Sequence, residues 1–575
     1  MDDAGAAEGL QPASASGRRR LLAFAIAGAA AMVALLVAPQ PWPAGPATLE
    51  VILSGALQGS IPVEVGSAEP LTAEIRGSAI RGTLELPAGV PSDSAITARL
   101  RLEAGFAAPD LSSLRLSLVL AGGPHEPIPV VRSDRSLGTV DLQRRPPDGS
   151  AAVLALLGAV VVLWVTEAVP LFVTSLAIPV VLVVSGVGRA DDALAPFFHP
   201  IIALFFAGFL MAEAMRRTGL DHLAAISLVA RAGRSPASLF AAMIGVSAFL
   251  SMWMSNTAAV AVLLPIALAV TEPLASFGYR RAIVLGIAYA ATIGGVGSAI
   301  GTPANPLAIA YLRDFVGRDI SFVEWFAVGL PMVVTFLPLM GVYLWWRMRA
   351  RPLAERFAEA RQVARNELAE VGRPTRDQLV VLLVFAGVVT TWLTETFHGV
   401  ETGIVALGGA VALALLGKVL PEDLGRISWA SLLTFGGGLT LGFFLLSSGT
   451  SDWIATRLDG LSAIPAPIAV GVVATVTLAL TTVASNTATA AMLIPLAIPL
   501  AGLTGVDPVL MVLVVAVASS VDFALVIGTP PTLLAYSTRL YTPSQIFRVG
   551  IVLDLAGIGL LSVLVVWIWQ LIGVI

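Results

Sequence analysis

Between residues 47 and 148 the polar and apolar positions alternate with a period of two; from Ala151 onward the chain is long apolar runs with short polar breaks. The runs near 151–167, 170–187, 200–217, 281–311, 325–346, 378–394, 402–420, 430–447, 509–540 and 549–573 have the length of membrane-spanning helices. Two further stretches, 237–271 and 466–502, run about 35 residues each, too long for one span of ~20 residues. Each carries a polar triplet in its middle. That pattern predicts a helical hairpin that enters and leaves on the same side.

The segments Leu49–Leu53, Ile61–Val65, Thr72–Ile75, Gly82–Leu86, Ala95–Leu102 and Leu114–Leu120 show the period-2 alternation, separated by Gly, Pro and Ser-Asp turns. This predicts short strands in a small β-sandwich-like domain over 47–148. At the N-terminus, Arg18-Arg19-Arg20 precede the apolar run Leu21–Ala38, and no small-x-small cleavage site follows within Pro39–Pro43. The expectation is an uncleaved anchor helix at 21–38 behind a cytoplasmic tail at 1–20, rather than a signal peptide. Residues 47–148 are then extracytoplasmic.

Composition fixes the solvent. Apolar residues make up 57% of the 575 positions and charged residues 13%, with a mean hydropathy of +0.87. So few charges cannot cover a soluble chain of this length, so lipid surrounds most of it. No basic patch with interleaved aromatics points to nucleic acid. The absence of cysteine removes disulfides and thiolate metal sites. Every basic residue but Lys418 is Arg, a usage typical of a GC-rich bacterial source.

Arginine placement tests the hairpin reading. With two hairpins and a cytoplasmic N-terminus, the basic residues outside the β-domain divide 21 inside to 4 outside, the outer ones being Arg189, Arg313, Arg318 and Arg457. A single span over 237–271 would instead send the arginine-rich segment Arg347–Arg376 outside. The implied layout is a first transmembrane repeat at 151–349, a cytoplasmic connector at 350–376 and a second repeat at 377–575.

The two halves share motifs. Trp164-Val-Thr-Glu167 recurs as Trp392-Leu-Thr-Glu395, an offset of 228. Ser255-Asn256-Thr257 recurs as Ser485-Asn486-Thr487 (230), Ile300-Gly301-Thr302-Pro303 as Ile527-Gly528-Thr529-Pro530 (227), and Phe206-Ala-Gly208 as Phe435-Gly-Gly437 (229). Four matches in one order, at offsets within three residues of one another, are an internal repeat. Each half holds five spans and one hairpin, an odd number of crossings, so the halves are inverted. The predicted fold is an all-α polytopic membrane protein of two inverted repeats, the architecture of a secondary carrier.

Ser, Asn and Thr at the midpoint of an apolar hairpin are costly unless paired. A plain turn explains one such triplet, but not two at symmetric positions. Two half-helix ends rich in hydroxyls and amides offer oxygen ligands for Na⁺ and donors for an anion, with helix N-termini adding positive dipole ends. The segments Gly294–Asn305 and Ser519–Thr532 place Gly, Thr and Pro in mid-membrane and predict broken helices that free backbone carbonyls.

The paired Ser-Asn-Thr tips, the Gly-Thr-Pro loops and the Trp-x-Thr-Glu-Ala-x-Pro opening resemble the divalent anion/sodium symporter family, over residues 151–575 and the anchor. The 47–148 domain lies outside that pattern. The resemblance implies elevator-type transport by a homodimer, with Na⁺ coupling in symporters and antiport in exchangers. It implies that Asn256, Thr257, Asn486 and Thr487 hold the two carboxylates of a dicarboxylate, with Thr302 and Pro530 lining the pocket. One Na⁺ would sit among Ser238, Ser255, Asn256 and the Gly301 carbonyl, a second among Thr481, Ala484, Asn486 and the Gly528 carbonyl. The Thr-ending triplets favour C4-type dicarboxylates over sulfate or other oxyanions. No cofactor is expected beyond the coupling ion.

Two departures stand out. The second loop reads Thr529-Pro-Pro-Thr532 where the family tends to end in Asn, and Asp522 aligns with Gly295 of the first half. An acidic group in a broken mid-membrane helix is functional by default; Asp522 is the candidate coupling residue, as a Na⁺ ligand or a proton acceptor. Glu167 and Glu395, beside short loops, read as structural anchors, and His199 and His398 as isolated interfacial residues. The rival classes fail on specific grounds: an enzyme lacks a reactive constellation here, and a sensor lacks room for an output domain in a connector of ~30 residues.

Overall fold

The computed structural model describes residues 25–32, the backbone of nine strands between 45 and 143, and residues 147–575 apart from 233–234, 351–355, 449, 452–453 and 455–463. The tail at 1–20 and the expected anchor, except its helical residues 25–32, lie outside the described residues. The chain forms two compact units. One comprises Met1–Pro170, Ala177–Ala193 and Thr440–Ser462; the other comprises Leu171–Leu176, Leu194–Leu439 and Ala463–Ile575.

In the first unit, the period-2 segments are strands: β1 Gly45–Leu53, β2 Ala56–Val65, β3 Leu71–Arg76, β4 Arg81–Leu86, β5 Thr97–Leu102 and β6 Leu114–Leu120. Three more follow, β7 His125–Ile128, β8 Val130–Asp134 and β9 Thr139–Gln143. At four or five residues they are too short for alternation to register. All pairings are antiparallel, in a four-stranded sheet ordered β2-β1-β6-β7 and a five-stranded sheet ordered β3-β4-β5-β9-β8.

Helices dominate the rest. Among the described residues seven are long and apolar enough to cross a membrane, Phe322–Arg347 among them, and several shorter apolar helices accompany them. The two over-long stretches are each broken at the triplet. Pro236–Ser251 is followed by Asn256–Thr271, and Ala466–Val483 by Asn486–Thr504. The break is local chemistry: the Ser255 and Ser485 side chains accept from the N–H groups of Ala258 (3.3 Å) and Ala488 (3.2 Å), which starts a new helix at each Asn. The Gly-Thr-Pro motifs break the other two helices. Phe277–Gly294 ends in a 3₁₀ turn, Gly295–Gly297, before Ala304–Tyr311 begins. Likewise Pro508–Ala518 stops well short of Pro530–Ser537.

Both broken segments are packed tightly from behind. A methyl group added at Gly329 would run into the Val296 carbonyl, and one at Gly550 into the Phe523 carbonyl. Only hydrogen at these Cα atoms lets the neighbouring helix lie flat against the irregular backbone.

The connector contains a helix, Phe357–Val371, with Ala360 and Ala364 buried and Glu367 3.5 Å from His222. The basic ends of the spans are paired rather than merely solvated. Arg217 reaches both oxygens of the fully buried Asp423 at 3.2 Å, while Arg216 and Arg426 (3.3 Å) converge on Glu213.

The two histidines expected to be isolated are not. His199 caps the helix Pro200–Thr218, its Nδ1 accepting from Ile201 N at 3.2 Å, while Nε2 lies 3.1 Å from Asp314 and 3.0 Å from Arg313. His398 Nε2 meets the Thr391 carbonyl at 2.9 Å. Helix termini leave backbone groups to satisfy, and a ring with two nitrogens does so at each place. The Trp-x-Thr-Glu motifs bury Trp164 and Trp392 completely, and Glu395 accepts from Thr402 Oγ1 at 3.1 Å, an anchoring contact.

Candidate functional site

The two triplets and the two Gly-Thr-Pro loops line one cavity of about 400 Å³ within the second unit. Its walls include Ser255, Asn256 and Thr257 from the first tip and Ser485, Asn486 and Thr487 from the second. Gly301, Thr302 and Pro303 face it from one broken segment, and Gly528, Thr529 and Pro530 from the other. Phe205, Phe209 and Trp253 supply apolar surface. No Lys, Arg or His is among the lining residues. The polar wall is therefore neutral: hydroxyls, amides, carbonyls and the first turns of two helices.

Behind each triplet lies a matched set of oxygens. Ser251 Oγ is 2.5 Å from the Asn256 amide and donates to the Ala291 carbonyl at 2.6 Å. Thr481 Oγ1 is 2.8 Å from Asn486 Oδ1 and donates to the Ser519 carbonyl at 2.6 Å. The Asn256 amide atom that meets Ser251 also lies 3.2 Å from the Ala291 carbonyl and 3.3 Å from the Gly301 carbonyl. As nitrogen that atom donates to its neighbours; as oxygen it completes a group of four oxygens of the type that binds a hard cation.

Most of the expected residues are thus brought together: Asn256, Thr257, Thr302, Asn486, Thr487, Pro530, Ser255, Gly301 and Gly528 all line the cavity. Thr481 stands directly behind Asn486, and Ala484 precedes the second tip as the buried C-cap of its helix. Ser238 is not brought there. It belongs to the capping box at the start of Pro236–Ser251, bonded to Ser235, at the opposite end of that helix from the tip. At 1.5 Å of rise per residue the separation is roughly 20 Å. The place assigned to Ser238 is taken by Ser251, and the repeat offset of 230 that relates the triplets also relates Ser251 to Thr481.

The two broken segments differ. In the first, the buried Asn305 Nδ2 donates to the carbonyls of Gly295 (3.0 Å) and Ser298 (2.6 Å) and tethers the loop from within. In the second, Thr532 reaches only Thr529, at 2.9 Å, and the loop is held from outside. Asp554 accepts from Phe523 N at 2.8 Å, and Tyr289 donates to the Phe523 carbonyl at 2.7 Å. Asp554 is a further fully buried carboxylate, one that sequence reasoning missed; an acidic residue inside the apolar run 549–573 was the available signal.

Known proteins match the chain over most of its length. The family model described as citrate transporter matches residues 161–518. A sodium-dependent dicarboxylate transporter of Staphylococcus saprophyticus is 31% identical over 446 residues, 73% of this chain and 86% of its own length. The Staphylococcus aureus counterpart is 30% identical over 447 residues, 72% and 85% respectively. The crystal structure of the Alcanivorax borkumensis YdaH transporter aligns at a TM-score of 0.46 and 17% identity, over 66% of this chain and 88% of that one. The chain therefore belongs to the citrate-transporter family, among the divalent anion/sodium symporters that its motifs resemble, and is a membrane transporter rather than an enzyme.

Proposed function

We propose that this protein is a sodium-coupled secondary carrier of small dicarboxylates, of C4 type, working by elevator-type alternating access. The observation that carries the reading is the cavity where both Ser-Asn-Thr tips and both broken helices meet without a basic side chain. A dianion there is held by hydroxyls, amides and the positive ends of two helices. Those groups are neutral, and the remaining charge is compensated by Na⁺ at the oxygen groups behind the tips. Because Asn256 and Asn486 stand between the cavity and those oxygens, cation and anion share one side chain on each side, the simplest physical basis for coupling. Relatives named as sodium-dependent dicarboxylate transporters support the same substrate and ion.

The rest of the reading is architectural. The two halves form inverted repeats of five spans and one re-entrant hairpin, so that rocking or sliding about the shared midplane site exposes it to either side in turn. The chain is a homodimer in a bacterial inner membrane, its N-terminus cytoplasmic and the β-sandwich-like domain outside. The partners are the dianion, Na⁺ and lipid.

The test is uptake of radiolabelled succinate into proteoliposomes under an inward Na⁺ gradient, an H⁺ gradient, or internal succinate alone. Uptake driven by the Na⁺ gradient is expected. Uptake that needs only internal succinate would replace the symporter with an exchanger, and no uptake under any condition would reject the dicarboxylate. Ser251→Ala and Thr481→Ala are each expected to raise the Na⁺ concentration for half-maximal uptake about tenfold, the weight of one hydrogen bond or ligand to a charged group. An unchanged Na⁺ dependence in both would remove these hydroxyls from the cation sites.

A further inference from the structure

An apolar groove of about 480 Å³ lies between the helices Phe322–Arg347 and Pro543–Leu560 and shares no residue with the transport cavity. Leu339, Val342 and Tyr343 wall it on one side, Val552 and Ala556 on the other. Val342 is 72% and Val552 45% exposed, so the groove opens outward, where a chain of this composition meets lipid. The same two helices press inward on the broken segments, through Gly329 and Gly550. Asp554 also faces inward, toward the loop in which Asp522 is 1% exposed and packed against Gly528.

One end of the groove is basic. Arg347 stands four residues beyond Tyr343 and Arg548 four residues before Val552, so each extends one wall by a turn. The helices run antiparallel: Trp569 donates to the Val328 carbonyl at 2.9 Å, while Tyr343 and Val552 meet across the groove. Both arginines therefore reach the same end, and both are exposed. Arg281 joins them. The start of its helix abuts the end of Phe322–Arg347, where a methyl at Gly278 would strike the Met348 carbonyl. Its Nη2 donates to Gln545 at 2.7 Å, its guanidinium lies 5.0 Å from the centre of the Tyr541 ring, and its Nε has no hydrogen-bond partner. It is close enough to Arg347 for the two charges to repel. Among the described residues no carboxylate pairs with any of the three. Like charges gathered in this way favour a bound anion, which offsets their repulsion.

We propose that the groove and its arginines seat one anionic phospholipid, an acyl chain between the two helices and the headgroup phosphate among Arg281, Arg347 and Arg548. A free phosphate would use the arginines and leave the apolar walls bare. A zwitterionic lipid would use the walls but bring a cation of its own toward the arginines. A lipid of net negative charge matches both. On the topology proposed above, its headgroup lies in the cytoplasmic leaflet. The seat is independent of which anion and which cation the protein carries.

The experiment is native mass spectrometry of the purified full-length protein, titrated in detergent with phosphatidylglycerol, with phosphatidylcholine of the same acyl chains, or with phosphatidylglycerol plus inorganic phosphate. The first phosphatidylglycerol bound per protomer is expected to hold at least about tenfold more tightly than phosphatidylcholine. Arg347→Gln combined with Arg548→Gln is expected to weaken it about thirtyfold, the weight of two arginines at an anionic headgroup. Ala556→Phe, which fills the groove and keeps every arginine, is expected to weaken it about tenfold. Equal binding of the two lipids by the wild-type protein overturns the proposal and needs no variant to fold. So does phosphatidylglycerol binding unchanged in the double variant, or unchanged in Ala556→Phe, which would leave a basic patch without a seat for the chain. Displacement of phosphatidylglycerol by equimolar inorganic phosphate would make the arginines a phosphate site and also overturn it.

Discussion

Asn256→Ala and Asn486→Ala are each expected to abolish succinate uptake while leaving a folded protein. Each Asn is the first residue of a helix that opens on the cavity, and each amide also touches the hydroxyl behind it, Ser251 at 2.5 Å and Thr481 at 2.8 Å. Removal costs a donor to the anion and an oxygen near the cation at once. One hydrogen bond to a charged group is worth about 1.5–3 kcal/mol, so two such losses lower transport by at least about a hundredfold. The helix start itself survives, because the caps are Ser255 and Ser485 rather than the Asn residues. Initial uptake rates in proteoliposomes check this, with size-exclusion profile and thermal midpoint in detergent as folding controls. Near-normal uptake in either variant would sink the site.

Gly329→Ala and Gly550→Ala are expected to reduce transport at least tenfold from positions that never touch substrate. Each added methyl strikes a backbone carbonyl of a broken segment, Val296 or Phe523, and a carbonyl cannot swing away as a side-chain tip can. Overpacking of this type costs about 1–3 kcal/mol. The loop can escape the clash only by shifting toward the cavity, and a displacement of ~1 Å at a binding site is enough to cost two orders of magnitude in function. Gly559→Ala, on the same helix as Gly550 but with nothing within 4 Å of the added methyl, is the control and should transport normally. Equal activity in all three variants would mean that the broken segments tolerate movement and do not hold the site.

Several structural features were legible in the chain because they rest on local pattern. Period-2 alternation marked the first six strands, and apolar length marked the helices. The two triplets predicted their breaks because Ser at an N-cap starts a helix wherever it stands. The repeat told which residues would share the cavity, since matched positions in two copies of one motif face the same place. Asp522 stood out for the same reason, as an acid where its counterpart is glycine.

Tertiary structure decided what depends on contacts between distant segments. Ser251 and Ser238 lie on one helix and are chemically identical; only the position of the Ala291 carbonyl, forty residues on, picks Ser251. His199 became a partner of Asp314 because helix ends far apart in sequence meet there. The strands β7 to β9 were invisible because four or five residues carry too little alternation, while pairing holds them in place, β7 on β6, β9 on β5 and β8 on β9. Asp554 acquired its role through the Phe523 amide, thirty-one residues away. Local periodicity is written in neighbouring residues, whereas a hydrogen bond across such distances exists only after the chain has folded back on itself.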